Sequence, residues 1–170
     1  MQHIRHRERR GQSLIEVMIA LSVLTMGFLG LIALLSRSLS LNRVVARSYV
    51  GTYLAAEGIE LVKAVIDANI SRGDAWDCNL PGGGAQYEID YTDLAGITSC
   101  GTAPPSVGRG ALQYSDADGY QYQNGDNTEF TRTITLSYPA VDHLQVRSVV
   151  SWSGGSDRVE LEDFFTDWRP

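Results

Sequence analysis

Three groups of residues in this 170-residue chain have types and spacings that could do chemistry. The first is Glu16, a carboxylate alone at the front of an uncharged, mostly apolar run over residues 17–35. A charge inside a bilayer costs a few kcal/mol on insertion scales and normally pairs. Glu16 therefore demands a partner that the apolar run does not contain. The second group is Cys78 and Cys100, the two cysteines of the chain. The third is weaker: His143 beside Asp142, the oxygen-rich segment "DADGYQYQNGD" at 116–126, and the aromatic residues that follow residue 75.

The weaker constellations are better explained without a ligand. His3 and His6 precede Gly11, so His143 is the one histidine of the body. A Ser-His-Asp arrangement is formally possible, but no nucleophile elbow accompanies it, and "SGGS" at 153–156 reads as a hairpin turn. No catalytic activity is expected. One histidine with two cysteines that are expected to be bridged does not make an ordinary zinc site, and no metal or cofactor is expected. Asp116, Asp118, Asn124 and Asp126 offer hard oxygens for calcium. The glycine is misplaced for an EF-hand, and Asn127 stands at the twelfth position where that loop carries an acid. Asx-rich turns are the simpler account. Tyr87, Tyr91, Tyr114, Tyr120, Tyr122, Trp76, Trp152 and Trp168 read as strand-face core and cross-strand pairs before they read as a sugar- or surface-binding patch.

Charge is unevenly placed. The net charge is −6, yet Arg5, Arg7, Arg9 and Arg10 precede Gly11 with Glu8 alone opposing them. Without residues 1–11, ten basic residues face nineteen acidic ones, a net of −9. An acidic body argues against nucleic-acid binding, which needs cationic surface. As a helix, residues 17–35 span about 28 Å, close to the hydrocarbon thickness of a bilayer. The positive-inside rule puts the arginines in the cytoplasm and the body outside. Both cysteines then face the oxidising side, where a disulfide is expected over two buried thiols. Closing a loop of about 22 residues contributes on the order of 3 kcal/mol.

The elements that must position these groups follow in order. Residues 36–69 contain no proline, and Val50, Leu54, Gly58, Leu61 and Val65 recur at helical spacing, widened by Val62 and Ile66. Arg47, Glu57, Glu60, Lys63 and Asp67 fill the polar positions, Gly58 could admit a closely packed sheet, and Gly73 is the expected stop. Beyond it, "AQYEIDY" (85–91) alternates as a strand. "GYQYQNGDNTEFTRTITLSY" (119–138) and "HLQVRSVVSWSGGSDRVELEDFF" (143–165) read as hairpins turning at "NGDNT" and "SGGSD". Phe130, Arg132, Ile134, Leu136 and Tyr138 share one face, as do Leu144, Val146, Val150 and Trp152. Phe164, Phe165 and Trp168 are expected to pack the last strand onto the sheet. The fold class is α+β, one long N-terminal helix followed by an antiparallel sheet of four or five strands.

With basic leader, apolar helix and sheet domain in that order, "GQSLIEV" (11–17) resembles the N-terminal signature of type IV prepilins and the pseudopilins of type II secretion. Leu14, Ile15, Glu16 and Val17 match its core. Gln12 stands where Phe is commonest, and Ser13 where Thr is usual. The resemblance implies that a prepilin peptidase cuts between Gly11 and Gln12 and N-methylates Gln12. It implies a pilin-like fold, in which a long helix packs its second half on an antiparallel sheet. Pilins often carry a disulfide near the C-terminus; here the cysteines directly follow the helix. A secretory signal peptide would instead be cut after its apolar segment at A-x-A, and "SRSLSLNRVV" at 36–45 holds no such site.

The expected organisation is a cleaved leader (1–11), an apolar transmembrane and filament-core helix (12–35), its amphipathic continuation (36–72) and a β-sheet domain (73–170). The expected function is a structural subunit, a minor pilin or pseudopilin, held in the inner membrane with its C-terminal domain outside before assembly into a filament. Glu16 would meet the α-amine of Gln12 on a neighbouring subunit. The implied partners are other pilin subunits, the processing peptidase, a pilus or secretion assembly platform, and membrane lipid. The alternative is a membrane-anchored adhesin or binding module with an antiparallel β head, which would have no use for Glu16.

Overall fold

The computed structural model describes residues 12–97, 99–101, 104 and 107–167. The expected leader (1–11) and Trp168 lie outside these residues. The first element, α1, runs Gln12–Arg72 over 61 residues. The chain divides into two units between Ala46 and Arg47.

In the first unit every described side chain from Ser13 to Ala46 is exposed. Its most apolar stretch has a mean hydropathy of 2.5 over eighteen residues, none of them buried, and the helix is long and apolar enough to cross a membrane. The amphipathic continuation expected from residue 36 buries a face only from about Gly51. Residues 36–47 mix Ser, Leu and Arg without a helical stripe.

The second unit places the rest of α1 against an antiparallel sheet. The further elements are β1 (Ala85–Tyr87), α2 (Tyr91–Leu94), β2 (Gln113–Ser115), β3 (Gly119–Gln121), β4 (Asp126–Asn127), β5 (Thr131–Ala140), β6 (His143–Trp152), a 3-10 turn (Ser153–Gly155) and β7 (Asp157–Thr166). The main sheet has the order β1-β5-β6-β7, and a small second sheet the order β3-β2-β4. Leu54, Leu61, Val62, Val65 and Ile66 of α1 are buried against Ile134 and Leu136 of β5 and Leu144, Val146, Val150 and Trp152 of β6. The stripe on the helix and the alternation on the strands match the sequence pattern.

Two glycines let α1 approach the sheet. A Cβ on Gly51 would stand 2.7 Å from Cζ3 of Trp152. One on Gly58 would run into the Ser148 side chain and stand 3.2 Å from Cδ of Arg132. Beneath Gly58, Arg132 is fully buried. Its Nη1 donates to the Leu54 carbonyl (3.2 Å) and pairs with Glu57 (3.3 Å), while Nη2 donates to the Ile89 carbonyl (2.6 Å). One side chain thus ties α1, β5 and the segment after β1. At the far end α1 stops in a Schellman motif. Gly73 (φ +81°) donates its N–H to Ile70 and Asp74 donates to Asn69. The buried Asn69 amide then holds the exit, donating to the carbonyls of Trp76 and Cys78 and accepting from Arg72.

Two expectations are corrected. The strand expected over 85–91 ends at Tyr87, because Asp90 caps α2. Its carboxylate accepts the N–H groups of Thr92 (2.9 Å) and Asp93 (3.3 Å), and Asp93 accepts the Asp90 N–H (2.8 Å). The hairpin expected over 119–138 does not form. β3 and β4 both pair with β2, while β5 pairs with β1 on one side and β6 on the other. With both its edges taken, β5 has none to offer. The hairpin over 143–165 is present, with β6 and β7 paired in register from His143–Thr166 to Trp152–Asp157.

Asp90 also anchors the loop that returns to β2. It accepts the N–H of Tyr122 (2.8 Å) and meets Nη2 of Arg109 (3.4 Å). Arg109 lies 4.4 Å from the Tyr122 ring centroid and pairs with Asp93, and Glu88 takes the N–H groups of Gly108 and Arg109. Burial alone would raise the Asp90 carboxyl, but the bonds from Thr92 and Tyr122 and the Arg109 charge outweigh it and hold it below the ordinary range. Burial pushes the neighbouring Tyr122 hydroxyl up to about 12. It stays protonated and donates to the Arg132 carbonyl (2.9 Å).

Two stability measurements on the full chain in detergent check these contacts. Gly58→Ala should destabilise by about 1–3 kcal/mol although alanine favours helix. Adding Ser148→Ala should recover part of the loss; additive effects would show that the close approach is not what constrains Gly58. A depressed carboxyl contributes stability that is complete above its unfolded pKa and is lost as pH falls through the folded one. Wild-type stability should therefore fall on acidification below about pH 4. Asp90→Ala should cost about 3 kcal/mol at pH 7 and flatten that acid limb. An unchanged acid limb would remove Asp90 from the account.

Candidate functional site

The candidate site is the first two turns of α1. Gly11 lies outside the described residues, and Gln12 is the first residue of the helix. Four residues on, Glu16 falls on the same side, about 6 Å further along the axis. Its carboxylate is exposed among Leu14, Ile15, Val17 and Met18, which are each more than half exposed. Among the described residues Glu16 has no ion pair, and the next charge along the helix is Arg37. Among the described residues this carboxylate has no cation to neutralise it.

The rest of the apolar segment is built to hide its polar atoms. The Ser22 hydroxyl donates to the Met18 carbonyl and that of Thr25 to the Ser22 carbonyl (2.9 Å). Neither is left unsatisfied in an apolar surrounding. Gly27 and Gly30 have no atom within 4 Å of a would-be Cβ, so one face of the helix carries an open notch. Small residues of this kind let another backbone approach closely.

The remaining candidates sit elsewhere. The sulfurs of Cys78 and Cys100 lie at bonding distance with Cα atoms 5.5 Å apart, joining the two flanks of β1 and α2. Beside them, Asn79 donates to the Ser99 carbonyl (2.8 Å) and accepts the Gly101 N–H (2.6 Å). His143 is exposed at the β5–β6 turn, its Nδ1 2.9 Å from the Val141 carbonyl. In the 116–126 segment the Ser115 hydroxyl accepts the Asp118 N–H (3.0 Å) and Gln113 accepts that of Gly125 (3.0 Å). These are turn contacts. Among the described residues no three His, Cys, Asp or Glu side chains are placed to hold a metal ion. Tyr87, Tyr122, Trp76 and Trp152 are buried in the core, while Tyr91 and Tyr114 remain exposed.

Sequence reasoning missed the buried carboxylates Glu88 and Asp90 and their partner Arg109. The spacing Asp90-x-x-Asp93 was the available signal, as a helix-capping pattern. All three take donors or acceptors inside the domain, which fits anchoring better than chemistry.

Comparison with known proteins adds one match. The family described as the Prokaryotic N-terminal methylation motif matches residues 6–32. No curated protein and no solved structure matches the chain. The matched residues contain Gly11, Gln12 and Glu16 and most of the exposed apolar helix. The motif implies processing by a prepilin peptidase and assembly with other pilins, and with the long apolar helix it fits a membrane-anchored precursor. Over residues 6–32 the chain thus carries a prokaryotic N-terminal methylation motif, consistent with the type IV pilin and pseudopilin family and with a structural, pilin-like precursor.

Proposed function

We propose that the chain is a minor pilin or pseudopilin, a structural subunit of a thin filament and not an enzyme. The observation that carries this reading is the methylation motif at the head of an exposed apolar helix, whose continuation packs on a self-contained sheet domain. In this reading residues 1–11 are the leader, cut between Gly11 and Gln12 on the cytoplasmic side. Gln12 is N-methylated. Residues 12–35 hold the subunit in the inner membrane and later join the filament core. Residues 36–72 continue the helix into the head, and residues 73–170 form that head outside. A disulfide between Cys78 and Cys100 suits that compartment.

Glu16 is the docking key. Cleavage creates an α-amine on Gln12, and when helices stagger, the amine of one subunit can meet the Glu16 carboxylate of the next in a low-dielectric core. A buried pair is weak evidence for net stability but serves well to set register. The assembly platform and the peptidase act on the subunit; the head presents its outer surface.

Two experiments test the reading. Mass spectrometry of purified surface or periplasmic filaments should find a peptide beginning with N-methyl-Gln12. An intact residue 1–12 junction in assembled material would refute the cleavage site, and Gly11→Val should block processing. Glu16→Ala should still insert and be cleaved, yet reach filaments at a level reduced tenfold or more. Wild-type incorporation of that variant would remove Glu16 from assembly.

A further inference from the structure

The helix carries a second set of charges that the filament reading leaves unused. Between residues 17 and 56 the only charged side chains are Arg37, Arg43 and Arg47, with no acid among them. Arg47 pairs with Glu129 at 2.8 Å. Arg37 and Arg43 are exposed, and among the described residues neither takes part in an ion pair. We propose that Arg37 and Arg43 form a collar on α1 that binds the phosphate groups of anionic phospholipid in the outer leaflet and so sets the depth at which the membrane-held chain sits. The proposal rests on the membrane-anchored reading above.

Position carries the argument first. The uncharged run over 17–35 is about 28 Å long as a helix, against about 30 Å of hydrocarbon. Arg37 then falls about 3 Å beyond its end, inside a headgroup layer roughly 5–7 Å thick. Arg43 lies about 12 Å beyond. Helical side chains lean toward the N-terminus, here toward the bilayer, and the long arginine arm reaches back. Six residues apart, the two point about 120° apart around the helix axis, so they would engage separate lipids around it. Guanidinium matches phosphate oxygens by bidentate hydrogen bonds.

Charge carries it second. Beyond residue 47 the chain holds seven basic and eighteen acidic residues. Such a head is repelled by an anionic surface, and the two free arginines between head and apolar run oppose that repulsion. The same acidic head on a second copy is the competing partner for these arginines. Lipid is favoured because the position of Arg37 follows from the length of the adjoining apolar run, with no assumed stagger between copies.

The test uses the full chain in detergent micelles, titrated with phosphatidylglycerol or phosphatidylcholine and read by native mass spectrometry of lipid adducts. Wild type should prefer phosphatidylglycerol. Arg37→Gln/Arg43→Gln should weaken that binding about thirtyfold, near fivefold per arginine. Arg147→Gln/Arg158→Gln, two exposed arginines of the head, should leave it unchanged. Equal binding by the Arg37/Arg43 variant, or an equal loss in the head variant, overturns the collar. So does an Arg37→Glu/Arg43→Glu chain that binds lipid normally, fails to enter filaments, and is restored by reversing head carboxylates. That result would give the arginines to a neighbouring copy. Absence of wild type from membranes would instead remove the anchored reading itself.

Discussion

Fifteen large apolar side chains between Leu14 and Leu35 stand roughly half to three-quarters exposed on α1, and every other feature of the chain has to be reconciled with them. Burying each is worth about 1.5–3 kcal/mol. Together they represent on the order of 30 kcal/mol, more than the whole stability of an ordinary domain. No adjustment of the head could offset that in water. The segment must therefore be solvated by something apolar, and its surroundings, not its own contacts, set its energy. The intrahelical hydroxyl bonds of Ser22 and Thr25 belong to the same constraint.

The second unit solves the opposite problem by closing its own core. It is too small to spare volume, so the helix is brought close to the sheet over Gly51 and Gly58, one on Trp152 and the other on Ser148 and Arg132. The closest approach coincides with a buried cation. Arg132 lies where an aliphatic side chain would pack, and it is tolerated because Leu54, Glu57 and Ile89 supply acceptors from two directions. The same device recurs at Asp90, where a buried carboxylate collects N–H donors from its own helix cap and from Tyr122. Both tie the irregular stretch between β1 and β2 to regular elements. A disulfide-distance cysteine pair ties its outer end.

Much of this was legible in the sequence because it is periodic. The stripe from Leu54 to Ile66, the alternation of Ile134 and Leu136 with their neighbours, and the glycine stop at Gly73 are local patterns with local causes. The motif around Gly11, Gln12 and Glu16 was legible for another reason: a charge at the front of an uncharged run is conspicuous wherever the chain folds. What was not legible is long-range. Nothing local reveals that β5 is flanked by β1 and β6 and so cannot accept β3, or that Gly51 lies under Trp152. Arg132 was placed on the correct face, but its acceptors come from residues 43 and 78 positions away. The strand expected through Asp90 failed where an alternating pattern and a capping pattern overlap, and the cap prevailed because its donors lie within three residues.

On the proposed reading, the exposed helix also limits what can drive assembly. Apolar side chains are about as well solvated by lipid tails as by other helices. The fifteen residues that require an apolar surrounding are therefore nearly indifferent between bilayer and filament core. The difference must come from the few positions where the two environments are unequal. Gly27 and Gly30 permit a backbone approach that lipid cannot exploit as well. Glu16 is the larger inequality: unpaired in lipid it costs a few kcal/mol, and beside a neighbour's amine that cost is largely offset. Because the amine exists only after cleavage, an uncleaved chain would gain little by leaving the bilayer. A carboxylate that weakens the anchor as an anchor is thus the group best placed to make processing precede assembly.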